Sequence, residues 1–333
     1  MTNLLELLGS DLPVVAAPMS GGPTTTALVL AAAEAGSSGS VAGGYQTAAA
    51  LAEQVAEVRS STERYGVNLF SPNPEAVDPA AYAAYRELLL PLAKSYGVDL
   101  ATTPVEDDDG WQAKVDVLVE AAPPVVSFTF GLPEPAGAAA LRSAGCTLVQ
   151  TVTSANEALQ SVEAGVDALI VQSAEAGGHW GTFTPARPPE RLGLPELVRA
   201  VRAVTGLPIM AVGGIGTSAD VAAALDAGAQ AVAVGTVLLL APEAGTNPAH
   251  RAGFGEDRGH PVTTTASPAG PPAGCPTLSW RPTTAAAPWA TRPCTTSPAR
   301  SARPRPRRRT PSTSISGPAP ATATPPSGRR ERS

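Results

Sequence analysis

The sequence predicts a closed (β/α)8 barrel, a TIM barrel, over residues 1–254, followed by a disordered Pro/Arg/Thr-rich tail over 255–333. Three observations carry that expectation. Short β-branched runs alternate with Ala-rich amphipathic runs, the signature of parallel strands joined by crossover helices. Eight such strand runs fit into about 240 residues, the usual size of a closed barrel. No G-x-G-x-x-G follows the first run, which disfavours an open doubly wound sheet, the runner-up.

The strands are expected at 14–17, 39–42, 66–70, 125–130, 148–152, 168–172, 209–212 and 231–234. The helices between them are punctuated by caps. Ser154 with Glu157 reads as a capping box opening a helix that stops at Gly165. Pro195 opens another that stops at Gly206, and Thr217 or Ser218 starts a third that stops at Gly228. Residues 71–123 are too long for one crossover. They predict a helical insertion, with a helix over 80–96 and an acidic turn over 106–109.

Composition breaks near residue 255. Residues 255–333 hold twelve Arg, no Lys and three acidic residues, a charge of +9, which leaves −15 on residues 1–254. The same segment has 16 Pro but only Val262, Leu278 and Ile315 as large aliphatics. It buries too little apolar surface to offset an ordering entropy of roughly 1–2 kcal/mol per residue, so disorder is expected. Elsewhere no apolar run reaches the roughly 18 residues of a membrane span. The N-terminus has no basic residue ahead of its apolar stretch and so lacks a secretory n-region, which predicts a cytoplasmic protein. Cys146, Cys275 and Cys294 are too scattered for a disulfide framework or a thiol metal cluster, and no metal is expected.

In barrel enzymes the active site lies at the C-terminal ends of the strands, and phosphate commonly binds in the loops after strands seven and eight. Those loops read Gly213-Gly214-Ile215-Gly216, ahead of a helix start at 217–220, and Gly235-Thr236. Glycines let backbone N–H groups approach an anion, and a helix N-terminus adds donors, so the two loops predict a phosphate cradle. After strand six comes a Gly-rich loop with Gly177, Gly178 and His179, and histidine is a residue type suited to general-base work at neutral pH. Asn68 is polar inside an apolar strand and is a candidate partner for a cofactor ring or ribityl chain. Ala17, Pro18 and Met19 end strand one, a place expected to bring backbone close to a flat ring, while a Met there serves equally as core filling. Glu175 stays unassigned, because a rim Glu is commonly solvated.

These motifs, APMSGG at 17–22, GVNLF at 66–70, QSAEAGGHWG at 172–181, MAVGGI at 210–215 and AVGTVLLL at 233–240, resemble the FMN-dependent nitronate monooxygenases, formerly 2-nitropropane dioxygenases. The resemblance covers residues 12 to about 250. It implies that Asn68 and Gln172 contact the flavin and that Gly178, beside Gly177, holds the phosphate with Gly213, Gly214, Gly235 and Thr236. It implies that His179 is the base. The expected reaction takes a nitronate, or a nitroalkane deprotonated by His179, and dioxygen, and yields a carbonyl compound and nitrite. FMN-dependent enoyl-acyl-carrier-protein reductases share much of the pattern and differ in using NAD(P)H. Trp180 stands where the family pattern usually has a basic or polar residue. The resemblance leaves room for a homo-oligomer.

Two readings of another class are an inactive barrel and a nucleic-acid binder through the basic run 303–309. The second loses ground because the tail reads as a frameshift product of GC-rich DNA. Read from one base earlier, residues 289–297 permit Leu-Gly-Tyr-Pro-Ala-Val-His-His-Leu, and residues 266–276 and 314–323 permit family-like segments with the same shift.

Overall fold

The computed structural model describes residues 3–72, 77–104, 107–184 and 192–254, all within the first of two units, Met1–Pro298 and Ala299–Ser333. The expected tail, residues 255–333, lies outside the described residues, as does Glu106 of the acidic turn. Eight parallel strands close on themselves in sequence order: β1 (Val14–Ala16), β2 (Gly39–Ala42), β3 (Tyr65–Phe70), β4 (Val125–Thr129), β5 (Thr147–Val152), β6 (Ala168–Gln172), β7 (Ile209–Val212) and β8 (Ala231–Val234). β8 closes on β1 with Val14 opposite Val232 and Ala16 opposite Val234. Each strand end lies within one residue of its sequence expectation.

Ten helices surround or extend the barrel among the described residues: α1 (Leu4–Leu8), α2 (Thr26–Glu34), α3 (Ala48–Arg59), α4 (Pro79–Tyr96), α5 (Trp111–Ala121), α6 (Pro135–Ser143), α7 (Ala155–Glu163), α8 (Leu194–Arg202), α9 (Ser218–Asp226) and α10 (Pro248–Gly253). α3 shows why they form. Thr47 caps the Ala50 N–H, and Leu51, Val55 and Val58 recur at helical spacing and are buried against β2 and β3. Each fully buried aliphatic contributes roughly 1.5–3 kcal/mol. The insertion carries the expected helix as α4 and adds α5, whose Trp111, Val115 and Leu118 pack on the same cluster.

The period of two along each strand divides the core. Outward residues such as Val67, Phe128, Val171 and Ala211 pack under the helices, while Val15, Val125, Val149, Ile170, Met210 and Ala233 fill the barrel. Leu4 and Leu8 of α1 join this inner cluster, and the Leu4 N–H donates to Gln230 Oε1 at 2.9 Å, just ahead of β8. α1 therefore plugs the N-terminal end. The mouth left for chemistry is the C-terminal one.

Two helix expectations need correction. Ser154 caps the Glu157 N–H, but the Glu157 carboxylate reaches Thr153 instead of the cap residue, so the box is half formed. α8 ends at Arg202, short of Gly206, because the Arg202 guanidinium donates to the carbonyls of Leu207 and Gly228 and Thr205 Oγ1 caps the Leu207 N–H. Those bonds satisfy the backbone without a further helical turn.

Candidate active site

The inward side chains nearest the mouth divide by polarity. On β3 to β6 they are Asn68, Ser127, Thr129, Thr151 and Gln172; on β7, β8 and β2 and just past β1 they are Val212, Ala233, Ala42 and Ala17. Asn68 is buried, and its Nδ2 donates to Ser127 Oγ at 2.9 Å and Thr129 Oγ1 at 3.0 Å. Thr129 and Thr151 hydroxyls lie 3.3 Å apart. The floor of the mouth is thus half hydrogen-bonding and half small and apolar.

Over that floor runs the loop after β6. Gln172 Nε2 donates to the His179 carbonyl at 3.2 Å, and Gln172 Oε1 accepts the Gly181 N–H at 2.6 Å. A Cβ on Gly181 would stand 2.9 Å from Thr129 Cγ2 and 3.1 Å from Thr151 Cγ2, so glycine is what lets the loop lie on the polar half. His179 is half-buried beside it. The Trp180 indole N–H is buried with no hydrogen-bond partner among the described residues. Gly177 is half-buried and Gly178 exposed, in the turn that leads to His179.

The glycine loops meet the neighbouring loops at the same rim. Gly213 and Gly214 have φ of +111° and +71°. A Cβ on Gly213 would approach Ser173 Oγ and the Ala176 N–H, and one on Gly214 would lie 2.6 Å from Glu175 Oε2. The β7 loop thus packs backbone-first against the turn 173–176. The N–H groups of Gly213 and Gly214 have no partner among the described residues. Gly235 faces Met19 and Ala17, and Thr236 opens a single 3-10 turn, Thr236–Leu238. The start of α9 contributes less than the sequence suggests. Asp220 already accepts the N–H groups of Gly216 and Thr217 and the Thr217 hydroxyl, bonds that hold its carboxyl below the usual range. Of the loops expected to form a cradle, those at 213–214 and 235–236 therefore keep more of their backbone available than the start of α9 does.

The remaining side of the mouth is aromatic. The Tyr45 ring meets Phe70 edge-on at 5.3 Å, and Phe70 meets Phe130 at 4.8 Å. A Cβ on Gly44 would run into the Phe70 ring. Met19, Ala42, Gly44 and Tyr45 line a cavity of about 350 Å³ between the β1 and β2 loops. Tyr45 is held at φ +65° with its N–H donating to Asp109 Oδ1 at 3.0 Å, and Asp109 Oδ2 pairs with the buried Lys114 ammonium at 2.6 Å. Burial pushes the Asp109 carboxyl up, with Lys114 pulling it back.

The residues singled out from sequence thus share one rim: Ala17, Pro18 and Met19 by Gly235, Asn68 in the floor, Gln172 under His179, and Gly213–Gly214 by the β6 turn. Sequence reasoning passed over Ser127, Thr129, Thr151 and the aromatic trio. The signal that exposed Asn68, a polar side chain on the inward period of a strand, applies equally to Ser127. Gln172 does more than offer itself to a ligand, since both its polar atoms hold the His179 loop. Among the described residues no group of His, Cys, Asp and Glu is arranged for a metal ion, and no helix is long and apolar enough to cross a membrane.

The chain is 37% identical over 255 residues to a nitronate monooxygenase of Paraburkholderia phytofirmans, covering 74% of this chain and 69% of that one. In structure it resembles a nitroalkane oxidase from Streptomyces ansochromogenes at 37% identity and a TM-score of 0.72, over 82% of this chain and 78% of that one. The likeness to FabK from Thermotoga maritima is lower, 25% identity and a TM-score of 0.59, over 82% of this chain and 74% of that one. The family profile described as nitronate monooxygenase matches residues 2–273, so this chain is an enzyme of the nitronate monooxygenase family.

Proposed function

We propose that the chain oxidises alkyl nitronates, or nitroalkanes after loss of the α-proton, with FMN as its flavin and dioxygen as the electron acceptor, to a carbonyl compound and nitrite. The observation that supports this most is the divided floor beneath a loop bearing His179. A flat ring with one polar and one apolar edge matches a floor that is polar at Asn68, Thr129 and Thr151 and small and apolar at Ala17, Ala42 and Ala233. The unpartnered N–H groups of Gly213 and Gly214 and the orphaned Trp180 indole N–H are donors of the kind a phosphate or an oxyanion uses. Asn68 and Gln172, with Ala17, Pro18 and Met19, would hold the ring, and Gly177, Gly178, Gly213, Gly214, Gly235 and Thr236 the phosphate. When bound, FMN supplies the electron-accepting ring that no side chain provides.

The protein's own work is positional and acid–base. A ring nitrogen of His179 takes the α-proton of a nitroalkane, a step that preformed nitronate does not need. The Tyr45, Phe70 and Phe130 rings keep water from the alkyl portion. Residues 1–254 form the catalytic unit in this reading, with 71–123 as its insertion, in a cytoplasmic enzyme. Purified protein should carry a yellow chromophore released as FMN by acid, and should consume dioxygen on adding a nitronate without NAD(P)H. Turnover that requires NAD(P)H would replace this reading with the enoyl-acyl-carrier-protein reductase one, and a colourless protein inert to both would end it.

A further inference from the structure

We propose that Glu157 is the positioning residue for the His179 loop, a role that rests on His179 being the base. Glu157 lies on α7 and is 3% exposed. Its Oε2 accepts the Thr153 N–H at 2.6 Å and the Thr153 hydroxyl at 2.8 Å, at the end of β5. Its Oε1 accepts the Thr182 hydroxyl at 2.6 Å and the Phe183 N–H at 2.8 Å, in the loop after His179. No cation pairs with it among the described residues. Burying a carboxylate among neutral groups is costly unless its oxygens are filled. Here each oxygen takes one backbone N–H and one hydroxyl.

That donor set explains why the position holds a carboxylate. Two chain segments each present an N–H and an O–H to the same point, and only a carboxylate offers two acceptor oxygens facing both. Completing the capping box would use the side chain within its own helix. Instead it ties strand to loop. Gln172 secures the same loop from the other end, through the His179 carbonyl and the Gly181 N–H. His179 to Phe183 is therefore pinned at 179, 181, 182 and 183, with His179 at the first pin. A displacement of about 1 Å at a reacting group lowers rate by about 10²-fold, so such pinning belongs to catalysis as well as to folding.

Two isosteric variants separate the roles. Thr182→Val and Thr153→Val each delete one hydroxyl donor to the same carboxylate from an equally buried site, 3% exposed in both cases, on the loop side and the strand side respectively. Glu157→Gln leaves one backbone N–H facing an amide NH2. In the full chain with its flavin, amide exchange over residues 179–183, leaving out Thr184 because its N–H is bonded to the Thr182 hydroxyl itself, should quicken by about tenfold in Thr182→Val and Glu157→Gln and by less than about twofold in Thr153→Val. Turnover of a neutral nitroalkane should fall about tenfold in the first two with KM nearly constant, and that of preformed nitronate less. Matching exchange in the two Val variants would reduce Glu157 to a helix cap, and faster exchange with unchanged nitroalkane turnover would remove its positioning role. If the unaltered protein turns over neither substrate, the function reading fails while the exchange arm still decides the clamp.

Discussion

His179 is one of three histidines in the chain, and its place at the rim, with its carbonyl on Gln172, separates it from a solvated surface imidazole. His179→Asn should retain FMN yet lower turnover of a neutral nitroalkane by about 10²-fold or more, with a smaller loss on preformed nitronate. Equal losses on both would remove proton transfer from its role. The glycines separate in a different way. Gly235 has φ −122°, and a Cβ there would make ordinary contacts of 3.5 Å with Met19 Sδ and 3.7 Å with Ala17 Cβ, so the fold itself accepts alanine. Gly235→Ala should keep its stability within about 0.5 kcal/mol while losing flavin, if backbone approach to a phosphate is what the position serves. Gly214, at φ +71° with Glu175 Oε2 where a Cβ would go, should cost about 1–2 kcal/mol on the same change. Thermal melts and the flavin-to-protein absorbance ratio of the two variants check both statements; full flavin in Gly235→Ala would take that glycine out of the cradle. Asn68 was legible in the sequence because an amide stands out in an apolar strand. Thr129 and Thr151 were not, because threonine is itself a good strand former and reads as part of the β-branched run.

At the level of elements, the strands were legible because parallel barrel strands are short apolar runs bounded by glycine and prolines, and the caps Ser154 and Thr217 marked the helix starts that form. What stayed hidden is which polar groups the packing buries. Lys114 reads as the solvated face of an amphipathic helix, yet it is 2% exposed and its charge is met by Asp109 across the turn that also holds the Tyr45 N–H. This pair ties the insertion to the mouth. Asp109→Asn should strand the buried ammonium and cost about 3–5 kcal/mol, and Asp109→Asn with Lys114→Met should recover most of the loss, since no uncompensated charge remains. Denaturant unfolding of both variants tests the order; a double variant as unstable as the single one would show that the contacts of the Lys114 stem outweigh its charge.

Across the whole molecule the charge divides, −15 on residues 1–254 and +9 on 255–333, and the two parts follow different compositional rules. A folded enzyme surface and an Arg/Pro-rich segment answer to different physical constraints; on the reading of the tail as a frameshift product, one stretch of GC-rich DNA read in two frames would produce both. The in-frame family match ends at residue 273, inside the first segment that the shifted frame makes legible, residues 266–276. On the reading of the tail as a frameshift product, the change of frame falls between the composition break near 255 and the end of the match at 273. The shifted frame also restores apolar residues where this frame has almost none: residues 289–297 permit leucine, tyrosine and valine, and residues 314–323 permit leucine, tryptophan and tyrosine. In a barrel whose last described helix is only the six residues of α10, such segments are what could extend the apolar cover over β8 and the mouth. The nucleotide sequence is the direct check. The −1 frame over residues 255–333 should run without stop codons and encode those apolar segments, and a chain rebuilt in that frame should bind FMN more tightly and melt at a higher temperature than the chain as written. Stop codons in that frame, or a rebuilt chain with no gain in either measurement, would make the Arg-rich segment a genuine part of this enzyme, and its affinity for nucleic acid, read from salt-sensitive retention, would then be the property to measure.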